Sequence, residues 1–234
     1  MSTGVRIGDK HTFDDWGLSL MSIEISEPET ITHIIEIPGR RTPLDLTEAV
    51  YGEPTFKNRT IKMTFIQDRN RYSSWHGLDS EIRNHCHGRR MQIILDTDPA
   101  WYWIGRISVA SSKDMVWLTK FEITASVEPY KYAVLSTLDD WRWDSFSFRT
   151  GVIRNYKNLS IPESKVITVI GSPVPVTPKI KVSKAMTLVV AGKSFSLAAN
   201  VWRQLTGVKV GREPTLFAFT DTGIVSIEFR EESL

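Results

Sequence analysis

The sequence holds one cysteine, Cys86, in 234 residues, so no disulfide can form within the chain. It also lacks any apolar run approaching the ~18 residues that a membrane-spanning helix needs. An excess of charge of one sign is missing as well. With 29 Lys and Arg against 27 Asp and Glu, the net charge of +2 leaves no electrostatic footprint for nucleic acid. No G-x-S-x-G elbow, P-loop, H-E-x-x-H or glycine-rich dinucleotide fingerprint occurs, which removes the common catalytic signatures. Near the start, Arg6, Asp9 and Lys10 stand where a signal peptide would need continuous apolar residues, so the chain is expected to be made and kept in the cytoplasm.

What remains is an ordinary globular composition, 41 % hydrophobic, 24 % charged and 10 % aromatic, which excludes disorder and low complexity. Apolar and polar residues alternate with a period of two over most of the chain, the pattern of a half-buried strand. The fold class is therefore mainly β. Strands are expected at 31–37, 60–66, 91–95, 101–109 and 115–127, with Ser111, Ser112, Lys113 and Asp114 as a hairpin turn. One helical interval interrupts them: Trp75, Leu78, Ile82 and Cys86 recur at helical offsets, and Gly88 supplies a C-terminal stop.

Pro129 breaks the last of these strands, and a second pattern without a helix follows, so the boundary is placed near 132, giving domains 1–132 and 133–234. Strands are expected at 152–156, 165–170, 179–182, 186–191, 194–198, 207–210, 215–219 and 224–229, the spacing of a β-sandwich. Ala191-Gly192-Lys193 and Asp221-Thr222-Gly223 are read as its hairpin turns.

Three clusters invite a chemical reading. His85-Cys86-His87 offers zinc or copper ligands, yet adjacent residues on a helix point about 100° apart, so at most two could meet one ion. A helix C-terminal turn with a buried cysteine is the favoured reading. Asp96 and Asp98 could act as paired carboxylates or enter a calcium loop, but no further acid follows at the required spacing, and Asp-Thr-Asp-Pro is turn chemistry. Trp101 with Trp103, and Trp141, Trp143 and Asp144, could stack on sugar rings; packing or subunit contact is the favoured alternative. No catalytic, cofactor or metal residue is assigned.

One resemblance runs through nearly the whole chain. Phe13 with Gly17-Leu18, Ile37-Pro38-Gly39-Arg40, Leu44-Asp45-Leu46-Thr47, and Asn58-Arg59-Thr60-Ile61 entering a strand come first. His87-Gly88 after the helix, Ile93-Ile94-Leu95-Asp96 with Asp98-Pro99, Trp101-Tyr102 with Gly105-Arg106, and Pro129-Tyr130-Lys131 follow in order. Together they resemble the distal tail proteins of long, non-contractile-tailed bacteriophages and related prophage elements. Arg41-Thr42 stands where the family often has Asp-Gly, and Val127-Glu128 where it often has a cysteine. The second half matches more loosely, through a final Phe-rich hairpin, Leu216 to Phe219 and Val225 to Arg230, around Asp221-Thr222-Gly223.

The resemblance implies a non-enzymatic structural protein of the virion tail tip, assembled in the host cytoplasm and needing no cofactor. Its first domain would form a homo-hexameric ring around the DNA channel, and its second would be a galectin-like sandwich. The implied partners are the tail tube protein, the tail-associated hub protein, and the tape measure, receptor-binding or baseplate proteins. DNA would pass without specific binding. Ser111 to Asp114 and the sheet edges are expected to contribute ring contacts. The rival is a carbohydrate-binding module that recognises host cell-wall glycan, gripping it through Trp141 and Trp143.

Overall fold

Alternation of buried and more exposed residues runs through strands of both halves of the chain, as in Lys179–Val182 and Met186–Val190. The computed structural model describes residues 4–49, 52–67, 75–115, 118–140, 154–162 and 166–234. They fall into two compact units: Met1–Asp98 with Tyr102–Tyr130, and Pro99–Trp101 with Lys131–Leu234.

The first unit contains β1 (Val5–Ile7), β2 (Lys10–His11), β3 (Leu18–Ile25), β4 (Ile34–Ile35), β5 (Leu44–Asp45), β6 (Arg59–Gln67), α1 (Trp75–Cys86), β7 (Arg90–Leu95), β8 (Trp101–Met115) and β9 (Leu118–Val127). Seven of the strands form an antiparallel sheet in the order β2-β1-β7-β8-β9-β6-β3. Ile61, Met63, Phe65, Phe121, Ile123 and Ile107 point to one face, where Ile82 and Cys86 of α1 pack against them. The opposite positions, such as Thr60, Lys62 and Ser126, are exposed. Each fully buried aliphatic or aromatic side chain contributes on the order of 1.5–3 kcal/mol. The helix stops where expected, with Gly88 at φ 75°. Gly105 has a different reason: a Cβ there would lie 2.3 Å from the Ser126 carbonyl oxygen, so only glycine lets β8 and β9 approach.

Two expectations in this unit need correction. Ser111 to Asp114 do not turn. They continue β8, with Ser111 opposite Phe121 and Lys113 opposite Thr119. The polar Ser-Ser-Lys-Asp run was misleading because small polar residues serve a strand as well as a turn. The 31–37 strand shrinks to β4, which among the described residues pairs only with β5. Three strands preceding it, β1 to β3, were not anticipated. On the edge strand β3 the pairing with β6 shifts between Leu20 and Ser22, a bulge that leaves Met21 68 % exposed.

The second unit holds β10 (Lys131–Ser136), β11 (Leu159–Ser160), β12 (Val166–Val169), β13 (Lys179–Val182), β14 (Met186–Val190), β15 (Lys193–Leu197), β16 (Arg203–Gln204), β17 (Thr215–Phe219), β18 (Ile224–Glu228) and β19 (Arg230–Ser233). Among the described residues they give two antiparallel four-stranded sheets, β11-β18-β13-β16 and β12-β17-β14-β15, and the pair β10-β19. Ile180, Val182, Val225 and Ile227 of the first sheet meet Leu188, Val190, Phe217 and Phe219 of the second in one core, as the period of two requires. The chain is thus mainly β with one described helix, as its sequence predicts.

Ala191-Gly192 forms a two-residue turn, Val190 facing Lys193, with φ 48° and 72°, the left-handed pair of a type I′ hairpin. Asp221-Thr222-Gly223 is not a hairpin. It carries the chain from β17 in one sheet to β18 in the other. The expected strand at 207–210 is absent, leaving a single bridge between Val176 and Val210. The strand expected at 152–156 is not formed over the described residues 154–156; its beginning, and Lys165, lie outside the described residues.

Candidate interaction surfaces

The clusters singled out by sequence resolve into structural contacts. His85 Nε2 lies 3.1 Å from the Ile7 carbonyl oxygen, and its ring meets Trp16 edge-on at 5.4 Å. Cys86 donates its Sγ–H to the Ile82 carbonyl at 3.1 Å, and burial pushes its thiol up to about 11. His87 Nδ1 accepts the Val109 N–H at 3.0 Å. The three neighbours thus spend their polar atoms in three places, and among the described residues no group of three His, Cys, Asp or Glu converges on a metal position.

Asp96 accepts the Gly4 N–H at 2.7 Å and stands 3.1 Å from His11 Nε2, tying the start of the chain to the β7-β8 turn. Asp98 donates its N–H to the Leu95 carbonyl at 2.9 Å, which closes that turn. Trp103 belongs to the first unit's core, with the Arg59 guanidinium 4.9 Å from its ring. Trp101, the first residue of β8, is half-buried with Lys131 Nζ 5.1 Å from its ring. Trp141, Trp143 and Asp144 lie outside the described residues.

A polar knot that the sequence did not disclose fixes α1 to its sheet. Arg83 donates to Asp79 at 2.9 Å, to the Val109 carbonyl at 3.0 Å and to Ser111 Oγ at 3.0 Å, while Ser111 donates to Asp79 at 2.8 Å. In the second unit, Arg154 pairs with Glu231 and donates to the Ile170 and Gly171 carbonyls. Burial is the leading influence on Glu231 and raises its carboxyl above the usual range, although Arg154 opposes it. Both knots consume their donors internally, so neither is a site.

Surfaces are more informative. Between β3 and β6, residues 26–58 contain no buried residue among those described. This excursion is held by its own backbone: Ile31 N–H to Thr55 O and Lys57 N–H to Glu29 O, both at 2.8 Å, and the bridge between Thr30 and Phe56. Thr47 donates to Asp45 at 2.5 Å, and these hydrogen bonds hold the Asp45 carboxyl below its ordinary range. At its end Ile34, Ile35 and Ile37 are 58, 50 and 41 % exposed. A segment with no core of its own that displays three isoleucines fits a contact surface.

The sandwich presents two outward faces. On the β12-β17-β14-β15 sheet one cross-strand row reads Val166, Ala218, Val189 and Ser194, and the flanking pairs are Thr168-Leu216 and Thr187-Ser196. No charged residue stands on this face among the described residues. On the β11-β18-β13-β16 sheet, Lys179 lies between Gln204 and Glu228, and Lys181 opposes Ser226. Trp202, which directly precedes β16, is 39 % exposed there with Lys181 Nζ 5.6 Å from its ring. Trp202 was not anticipated as a surface residue, because its neighbours Val201 and Arg203 give no clear alternation.

No family model and no curated protein matches the sequence. Among solved structures, the chain is similar over 100 % of both chains to the crystal structure of Dit (gp 19.1) of phage SPP1, with a TM-score of 0.67 and 11 % identity. That protein is described as a paradigm of the hub adsorption apparatus in phages infecting Gram-positive bacteria. The chain therefore has a Dit-like fold.

Proposed function

We propose that this chain is a structural, non-enzymatic component of a phage or phage-derived tail tip, acting as the hub between the tail tube and the adsorption apparatus. The observation that carries this reading is the end-to-end likeness to SPP1 Dit, which takes in both units and leaves no part of either chain uncovered. The ordered family-like segments of the sequence point the same way. In this reading the first unit, with the chain to about residue 132, assembles as a six-membered ring around a DNA channel, and the following galectin-like sandwich serves the periphery.

Physical features agree with that role. A ring closes by repeating one heterologous contact, which needs surface that the monomer does not bury. The 26–58 excursion with its exposed isoleucines, and the edge strands β2 and β3, offer such surface. A net charge of +2 suits a wall that lets DNA pass without gripping it. The tail tube, tail-associated hub, tape measure and receptor-binding or baseplate proteins are the proposed neighbours.

The test is the solution mass of the purified full chain, with negative-stain imaging of the largest species. Six copies of 26.7 kDa predict a species of about 160 kDa with six-fold symmetry. A chain that stays monomeric at high concentration, alone and with the tail tube protein, would contradict the ring.

A further inference from the structure

The sandwich's charged face has a composition that its role as scaffold does not require. Trp202 keeps 39 % of its surface exposed beside a strand where an apolar ring gains nothing from water. Lys181 Nζ lies 5.6 Å from its ring centroid, and the next outward cross-strand row of the same sheet is Gln204, Lys179 and Glu228. Lys179 and Glu228 stand directly opposite each other yet form no ion pair, and among the described residues neither they nor Gln204 has a partner in an intrachain side-chain hydrogen bond. Their donors and acceptors are therefore presented outward, on rigid strands, at the side of an exposed indole.

We propose that this face binds the pyranose rings of a polysaccharide, with Trp202 as the stacking platform. A pyranose has an apolar C–H face and a rim of hydroxyls, each both donor and acceptor. The indole covers the first by burying apolar surface. Lysine donates, glutamate accepts and glutamine does both, which satisfies the second without leaving desolvated hydroxyls unpaired. Charge of both signs in one row argues against a polyanion, which would need cations unopposed by a carboxylate. Among the described residues the sandwich's other face carries neither charge nor an exposed aromatic, and so lacks this chemistry. Lys181, with its Nζ 5.6 Å from the indole centroid, holds the ring in place. This inference stands independently of ring assembly.

The experiment uses the full chain on an array of gluco-, galacto-, manno- and N-acetylhexosamine oligosaccharides, followed by calorimetric titration of the strongest one. The expected result is saturable binding of at least one oligosaccharide, weakened about tenfold or more by Trp202→Ala and less by Trp202→Phe. Trp202 lies outside the core, so the melting temperature and solution mass of both variants should match the parent. Absence of saturable binding across the array, or binding that survives Trp202→Ala at parental strength, overturns the proposal. A monomeric mass alongside Trp202-dependent binding would overturn only the ring.

Discussion

On β12, β14, β15 and β17 the residues pointing away from the core are Val, Leu, Ala, Thr and Ser, whereas β13, β16 and β18 turn out Lys179, Lys181, Gln204 and Glu228, with Trp202 at the start of β16. The inward halves of the same strands are interchangeable in kind: Leu188, Phe217 and Val190 on one side, Ile180, Val182 and Ile227 on the other. The period of two fixes which positions face the core, and the core accepts any apolar side chain of fitting volume. Outward positions are free of that constraint, so their chemistry reports what the surface meets. A charge-free face and a mixed-charge face with an indole on one sandwich are two surfaces with two uses.

The comparison can be broken most severely from inside. Phe217 is fully buried between the faces, and Phe217→Ala should cost about 3–5 kcal/mol of unfolding free energy in urea melts. Because the first unit has its own core, its Cys86 should stay silent to a thiol reagent at mild pH in that variant, as in the parent. Burial, which pushes that thiol up to about 11, keeps the thiolate scarce. Labelling of Cys86 before global unfolding of the parent would show that the first unit opens on its own.

A smaller loss is expected at Thr137, which is buried. Its hydroxyl donates to the Ile227 carbonyl at 2.8 Å and accepts the Phe229 N–H at 3.0 Å. Thr137→Val keeps the volume but orphans both groups, for an expected ~1–3 kcal/mol. Smallest of all is the effect of adding charge outside. Leu216, next to Phe217 but 60 % exposed, should accept Lys within about 0.5 kcal/mol. A large destabilisation by Leu216→Lys in the isolated monomer would mean that this face is covered by the chain itself.

How much of this was legible follows the same division. β6, β7, β13, β17 and α1 were readable because their burial alternates or recurs with the helical period, as in Trp75, Leu78, Ile82 and Cys86. Ser111 to Asp114 were misread because a strand and a turn can draw on the same small polar residues. Asp221-Thr222-Gly223 was misread because turn chemistry does not state whether the next strand joins the same sheet or the opposite one. β1 and β2 were missed because strands of three and two residues are too short to show a period. Of the candidate surfaces, the 26–58 excursion contained segments quoted for the family likeness, Ile37 to Arg40 and Leu44 to Thr47, but their exposure is a tertiary fact. Trp202 depended on register across three strands, which no local pattern encodes.

The central claim is a place in a particle. Particles induced from the host that carries this gene should be labelled with antibody raised against the purified chain and imaged by electron microscopy. Label is expected only at the tail end distal to the capsid. Label on the capsid or along the tail shaft, or particles that assemble complete and infectious without the protein, would contradict it.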